Sequence, residues 1–110
     1  MADTILREFF LGFVRIHILH HAAEEGVYGL GMIEELARHG YSLSPGTIYP
    51  LLHSMERAGY LTCEPRRVDG RPRKYYTITP RGREVLAEAQ QKIGELTGEV
   101  GARARRDRRG

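Results

Sequence analysis

A chain of 110 residues, 41% hydrophobic and 28% charged, holds material for one modest core and not for two independent ones. Its formal charge is only +3, but residues 1–40 carry three basic and six acidic side chains, residues 41–83 eight and three, and the remainder six and five. The cations collect in the middle, where a polyanionic partner would be met. The single cysteine, Cys63, excludes an internal disulfide framework and a multi-cysteine zinc site. No apolar run reaches membrane-spanning length, and the start lacks the cationic region and small-residue cleavage site of a secretory signal. No membrane partner and a reducing cytoplasm are expected.

Asp3 is placed to cap a first helix whose apolar residues, Ile5, Leu6, Phe9, Phe10, Phe13, Val14, Ile16 and Leu19, form a stripe wider than one core contact needs. Such a helix touches two surfaces. The glycines at 26, 29 and 31 interrupt the periodicity and predict a turn. Met32, Ile33, Leu36 and Ala37 then predict a short second helix ended by Gly40.

Ser44-Pro45 supplies an N-cap and a proline at the first helical position, followed by Ile48, Leu51, Leu52 and Met55 at helical spacing. This third helix is expected to run to about Ala58, with Gly59 as its C-terminal cap. Pro50 removes one hydrogen bond and would cost about 3 kcal/mol in a regular helix interior, so a bent or loosened first turn is expected. Leu61 to Val68 and Lys74 to Thr79 read as two strands around a tip, Asp69 to Pro72. Thr79-Pro80 repeats the cap and proline signal and opens a fourth helix with Leu86, Ala89, Ile93, Leu96 and Val100 at spacings of three and four. The tail from Ala102 carries five arginines and no apolar period, as a disordered basic segment would.

The expected fold is therefore mainly α with a small β-hairpin: a winged helix-turn-helix domain over residues 1–79, a C-terminal dimerisation helix over 80–101, and a basic tail over 102–110. In this fold the third helix enters a major groove of double-stranded DNA. Its wheel sets Gly46, Pro50, His53 and Arg57 opposite the core face, with Thr47, Tyr49 and Ser54 on the flanks. Gly46 permits close backbone approach; Ser44, Thr47 and Tyr49 are phosphate donors; His53 reaches a base edge, and Arg57 either target. Arg71, Arg73 and Lys74 form a cationic wing tip stiffened by Pro72. Of Tyr75 and Tyr76, alternation places one inward and leaves the other for a phosphate or a neighbouring helix.

The stretches Ser44 to Leu52, Glu56 to Leu61, and Gly70 to Pro80 with Gly82 resemble the PadR family of transcriptional regulators, in its short form with one C-terminal helix. The resemblance covers about Phe10 to Val100. It implies a homodimer joined by the first and last helices, a palindromic operator, and usually repression. Family members often sense a small molecule. Here the dimerisation residues implied are Phe9, Phe10, Phe13, Leu86, Ala89, Ile93, Leu96 and Val100. Val27 to Gly31 departs from the proline and His-Gly-Tyr run common in such proteins.

Three other features compete with this reading. His17, His20 and His21, at i, i+3 and i+4, have a spacing that places two imidazoles on one metal. Only Glu24 adds a further ligand within a turn, however, so a surface or interface role is favoured and no metal site is expected. Cys63 is a candidate redox switch, though a lone strand cysteine is more often a small buried hydrophobe. Phe9, Phe10, Phe13 and Tyr28 suit an apolar effector pocket less well than core and dimer packing. No nucleophile elbow, phosphate-binding loop, metalloprotease helix or cofactor motif is present, which excludes the common enzyme classes. The remaining alternatives are a winged-helix interaction module that does not touch DNA and nonspecific DNA binding through the arginine tail.

Overall fold

The computed structural model describes the backbone of residues 3–109 and the side chains of residues 3–99. The elements follow in the order α1 (Thr4–Glu24), α2 (Gly29–Arg38), α3 (Pro45–Arg57), β1 (Leu61–Val68), β2 (Arg71–Ile78) and α4 (Pro80–Arg109). This is the expected winged helix-turn-helix, with β1 and β2 forming a two-stranded antiparallel sheet.

One contiguous core joins all six elements. Val14, Ile18, Leu19 and Ala22 enter it from α1, Met32 and Leu36 from α2, and Leu61, Tyr76 and Leu86 from the hairpin and α4. The periodic face of α3, Ile48, Leu51, Leu52 and Met55, is fully inside. Asp3 caps α1 as expected, its carboxylate accepting from the Ile5 N–H at 2.8 Å. Thr79 does the same for α4, accepting from the Gly82 N–H at 3.0 Å while donating to the Gly59 carbonyl at 2.6 Å. One side chain thus ties the end of α3 to the start of α4.

Helix α2 begins earlier than the glycines suggested. Gly29, Leu30 and Gly31 form its first turn rather than a loop, because two of these glycines serve close packing: a Cβ at Gly29 would overlap the Tyr49 ring of α3, and one at Gly31 the Tyr28 ring. Gly82 plays the same part in α4, where a Cβ would overlap the Tyr60 carbonyl oxygen.

The hairpin turn is also tighter than expected. Asp69 and Gly70 have φ of 54° and 78°, the pair of left-handed residues that a two-residue type I′ turn requires. Arg71 and Pro72 therefore belong to β2, in register with Val68 and Arg67. Proline is tolerated because both strands of a two-stranded sheet are edges. At the base, Val27 and Tyr76 exchange backbone hydrogen bonds of 2.8 and 2.6 Å, fastening the wing to the α1–α2 connection.

Helix α4 is continuous to Arg109, past the end near residue 101 that the sequence reading gives it; alanine and arginine are good helix formers. The side chain of Val100 and those of the tail lie outside the described residues. Leu86, expected on the dimerisation face, is instead 7% exposed and part of the protomer core. Phe10 is half-buried against Tyr41, their ring centres 5.2 Å apart. Among the described residues, the exposed large apolar side chains of α1 and α4 are Ile5, Leu6, Phe9, Ile93 and Leu96.

Candidate nucleic-acid interface

On α3 the outward side chains stand where the wheel puts them. Ser44, Gly46, Tyr49, Pro50 and Arg57 are exposed, and Thr47 and His53 are half-buried. Ser44 takes the extended N-cap backbone, but its hydroxyl makes no cap bond and lies 3.5 Å from the Thr47 hydroxyl. Two adjacent hydroxyls are thus presented at the helix start, a suitable pair of donors for one phosphate. Tyr49 has a second duty, since its ring rests on Gly29 and sets the approach of α2 to α3. The expected loosening at Pro50 is absent from the helix, which is unbroken from Pro45 to Arg57. Proline leaves the Gly46 carbonyl without its helical donor, and both residues are exposed to solvent.

The wing cations divide between two faces. Strand register pairs Arg66 with Arg73 and Val68 with Arg71 on one side, and Pro65 with Lys74 and Arg67 with Pro72 on the other. Arg71 and Arg73 therefore share a face that Lys74 does not. Arg66 and Arg73 are direct partners across the ladder, a pairing of like charges that is destabilising unless an anion or a π-face compensates it. Both have a π-face: Arg66 lies 4.5 Å from the Tyr75 ring centre and Arg73 5.7 Å from that of Tyr28. Tyr75 and Tyr28 in turn stack at 6.4 Å. The Arg73 Nε is buried without a hydrogen-bond partner. Arg66 is also held by Glu64, at 2.7 and 2.9 Å, and Arg67 donates to the Gly70 carbonyl at 2.7 Å.

Tyr76 is the inward tyrosine, 1% exposed. Burial, with Cys63 beside it, pushes its phenol up to about 12, so it is neutral at any physiological pH. Tyr75 takes the neighbouring-helix option, donating to the Glu25 carbonyl at 2.8 Å. Sequence reasoning missed Arg66, Tyr28 and Tyr75 as one aromatic–guanidinium stack with Arg73. Strand alternation carried to the correct two-residue turn would have found Arg66; the Tyr28 contact depends on the tertiary fold.

A second polar cluster lies where α1 ends. His17 is turned toward His39, Phe13 and Tyr41, and burial, followed by the charges of His39, His21 and His20, holds its pKa below the usual 6.5. His20 pairs with Glu24 at 2.8 Å, and His21 approaches Glu35 at 3.5 Å. Glu35 also bonds Arg38, which is the main reason its carboxyl is held below the usual range.

Comparison with known proteins agrees with this fold. Residues 18–88 match the model of the transcriptional regulator PadR-like family. The transcriptional regulator Rv3488 of Mycobacterium tuberculosis is 52% identical over 95 residues, covering 86% of this chain and 89% of its own. Among solved structures, a PadR-like transcriptional regulator of Bacillus cereus is 33% identical with a TM-score of 0.78, over 86% of this chain and 93% of that one. A PadR family transcriptional regulator of Eggerthella lenta is 32% identical with a TM-score of 0.72, over 89% and 87%. The chain belongs to the PadR-like family of transcriptional regulators.

Proposed function

We propose that the protein is a homodimeric repressor that recognises a pseudo-palindromic operator, each protomer placing α3 in a major groove and its wing on the flanking backbone. Thr47, Tyr49 and Ser44 position the helix on phosphates, Gly46 and Pro50 let its backbone approach closely, and His53 and Arg57 read base edges. Arg71, Arg73 and Lys74 supply charge from the wing, with the two faces of the hairpin addressing different phosphates. The dimer forms through Ile5, Leu6 and Phe9 of α1 and Ile93 and Leu96 of α4, which leave a protomer with apolar side chains 41–76% exposed. An apolar face of this kind marks an association surface.

The observation that carries this reading is the Arg66–Arg73 pair, two like charges held opposite each other on the wing by aromatic faces. Glu64 answers only Arg66; Arg73, with Arg71 and Lys74, has no carboxylate partner among the described residues, which leaves wing charge that a phosphate would neutralise and that an interaction module with no anionic partner does not need. The test is the salt dependence of DNA binding. Arg71→Ala with Arg73→Ala should weaken binding to every sequence and reduce the slope of log affinity against log salt by about 4, two phosphate contacts being lost from each protomer of the dimer. An unchanged slope would remove the wing from the interface. His53→Ala should instead reorder preferred sequences, read as a changed ranking in competition assays.

A further inference from the structure

The residues that end α1 form an arrangement that DNA binding does not use. His20, His21 and Glu24 each offer one ligand atom, and these atoms lie within 4.8 Å of one another. The convergence is not the one the i, i+4 spacing suggested: His17 turns away toward His39, and the adjacent residues His20 and His21 bring their ring centres to 5.0 Å, edge to face. The His20–Glu24 distance of 2.8 Å is already short enough for both donors to share an ion. Glu35, 3.5 Å from His21, is next in line as a fourth donor. Two imidazoles and one or two carboxylates suit a borderline divalent ion of the zinc type, and not calcium or magnesium, which prefer all-oxygen sets.

The same residues border an opening to the wing. His21, Glu24 and Glu35 line a cavity of about 320 Å³ whose opposite wall is Tyr28 and Tyr75. The Tyr75 hydroxyl donates to the carbonyl of Glu25, the residue after Glu24, and its ring packs so closely on Gly26 that a Cβ there would overlap it. Tyr75 and Tyr28 carry Arg66 and Arg73 on their faces. A change in the last turn of α1 therefore reaches the wing guanidiniums through one hydrogen bond and two stacked rings.

We infer that His20, His21 and Glu24 form a binding site for a divalent transition-metal ion, and that its occupancy is transmitted to the wing through the Glu25–Tyr75 contact. Ligation fixes the side chains of three residues in one and a half turns, and with them the carbonyl that Tyr75 holds. The wing cations are then presented differently with and without metal. The transmission half rests on the DNA-binding reading above; the site itself does not.

Calorimetric titration of the full chain with Zn²⁺, without DNA, tests the site. The parent should bind one ion per chain at micromolar concentration or tighter, and His20→Gln or Glu24→Gln should weaken this by at least about tenfold. Both residues are exposed, and an unchanged circular dichroism spectrum confirms the variants' fold. No heat in the parent, or equal affinity in the variants, overturns the site whatever happens with DNA. Anisotropy titration of an operator fragment, with and without Zn²⁺, tests the transmission. Zn²⁺ should change the parent's DNA affinity by at least about fivefold, whereas Tyr75→Phe should bind Zn²⁺ as the parent does and lose that response. A parent indifferent to Zn²⁺, or a Tyr75→Phe that responds fully, overturns the transmission.

Discussion

Helix α3 and the outer faces of α1 and α4 use the same kinds of apolar residue at the same helical spacing, and they end in opposite places. Ile48 and Leu52 are 0% exposed, whereas Leu6 and Phe9 are 65% exposed and Leu96 is 59%. The difference lies in what each face meets within the chain. The stripe on α3 is covered by α1, α2 and the hairpin base, and Gly29 and Gly82 let the surrounding backbones approach closely enough to seal it. The first turns of α1 and the middle of α4 leave Ile5, Leu6, Phe9, Ile93 and Leu96 uncovered within the protomer. Periodicity therefore shows that a face is apolar, and the number of elements within reach decides whether the protomer or a partner covers it.

If this contrast holds, substitutions on the two faces behave differently. Leu52→Ala should have the largest effect on the protomer, a loss of about 2–5 kcal/mol in denaturant unfolding. Gly82→Ala should cost about 1–3 kcal/mol through the clash with the Tyr60 carbonyl, read as a lower unfolding midpoint at unchanged slope. Ile93→Asp with Leu96→Asp should change protomer stability by less than about 0.5 kcal/mol, yet shift the sedimenting species to protomer mass. An unchanged dimer in that variant would remove α4 from the interface.

The smallest effect concerns pH. His17 has its pKa lowered by burial and by the neighbouring histidines, so the unfolded chain takes up this proton first as pH falls. Stability contributed by the neutral imidazole is complete above about 6.5 and is lost as pH falls toward the folded-state value. Melting temperature should thus decline between pH 7 and 5, and His17→Gln should flatten that decline. An identical decline in the variant would assign it to other groups.

Much of this was legible in the sequence because it is local. The cap at Asp3, the core face of α3 and the turn pair Asp69-Gly70 each follow from spacing or from one residue's backbone preference. The start of α2 was not legible, since Gly29 and Gly31 serve contacts with Tyr49 and Tyr28 that only the assembled fold creates. Nor was Leu86's place in the core, which depends on where α4 leaves the hairpin. The partner of Arg73 across the ladder was hidden by a turn read two residues too long, which keeps each side chain's face and moves only its pairing. Arg66 could be read from the sequence as adding to the wing's positive field, but its place opposite Arg73 emerged only with the register.

The central claim, that a dimer reads a specific operator with α3 while the wing supplies charge, is tested most directly by selecting bound sequences from a random DNA pool with the purified protein. The account predicts enrichment of a pseudo-palindrome with half-sites separated by about one helical turn, or a multiple of it. A pool without enrichment, or enrichment of a single half-site without symmetry, would contradict it.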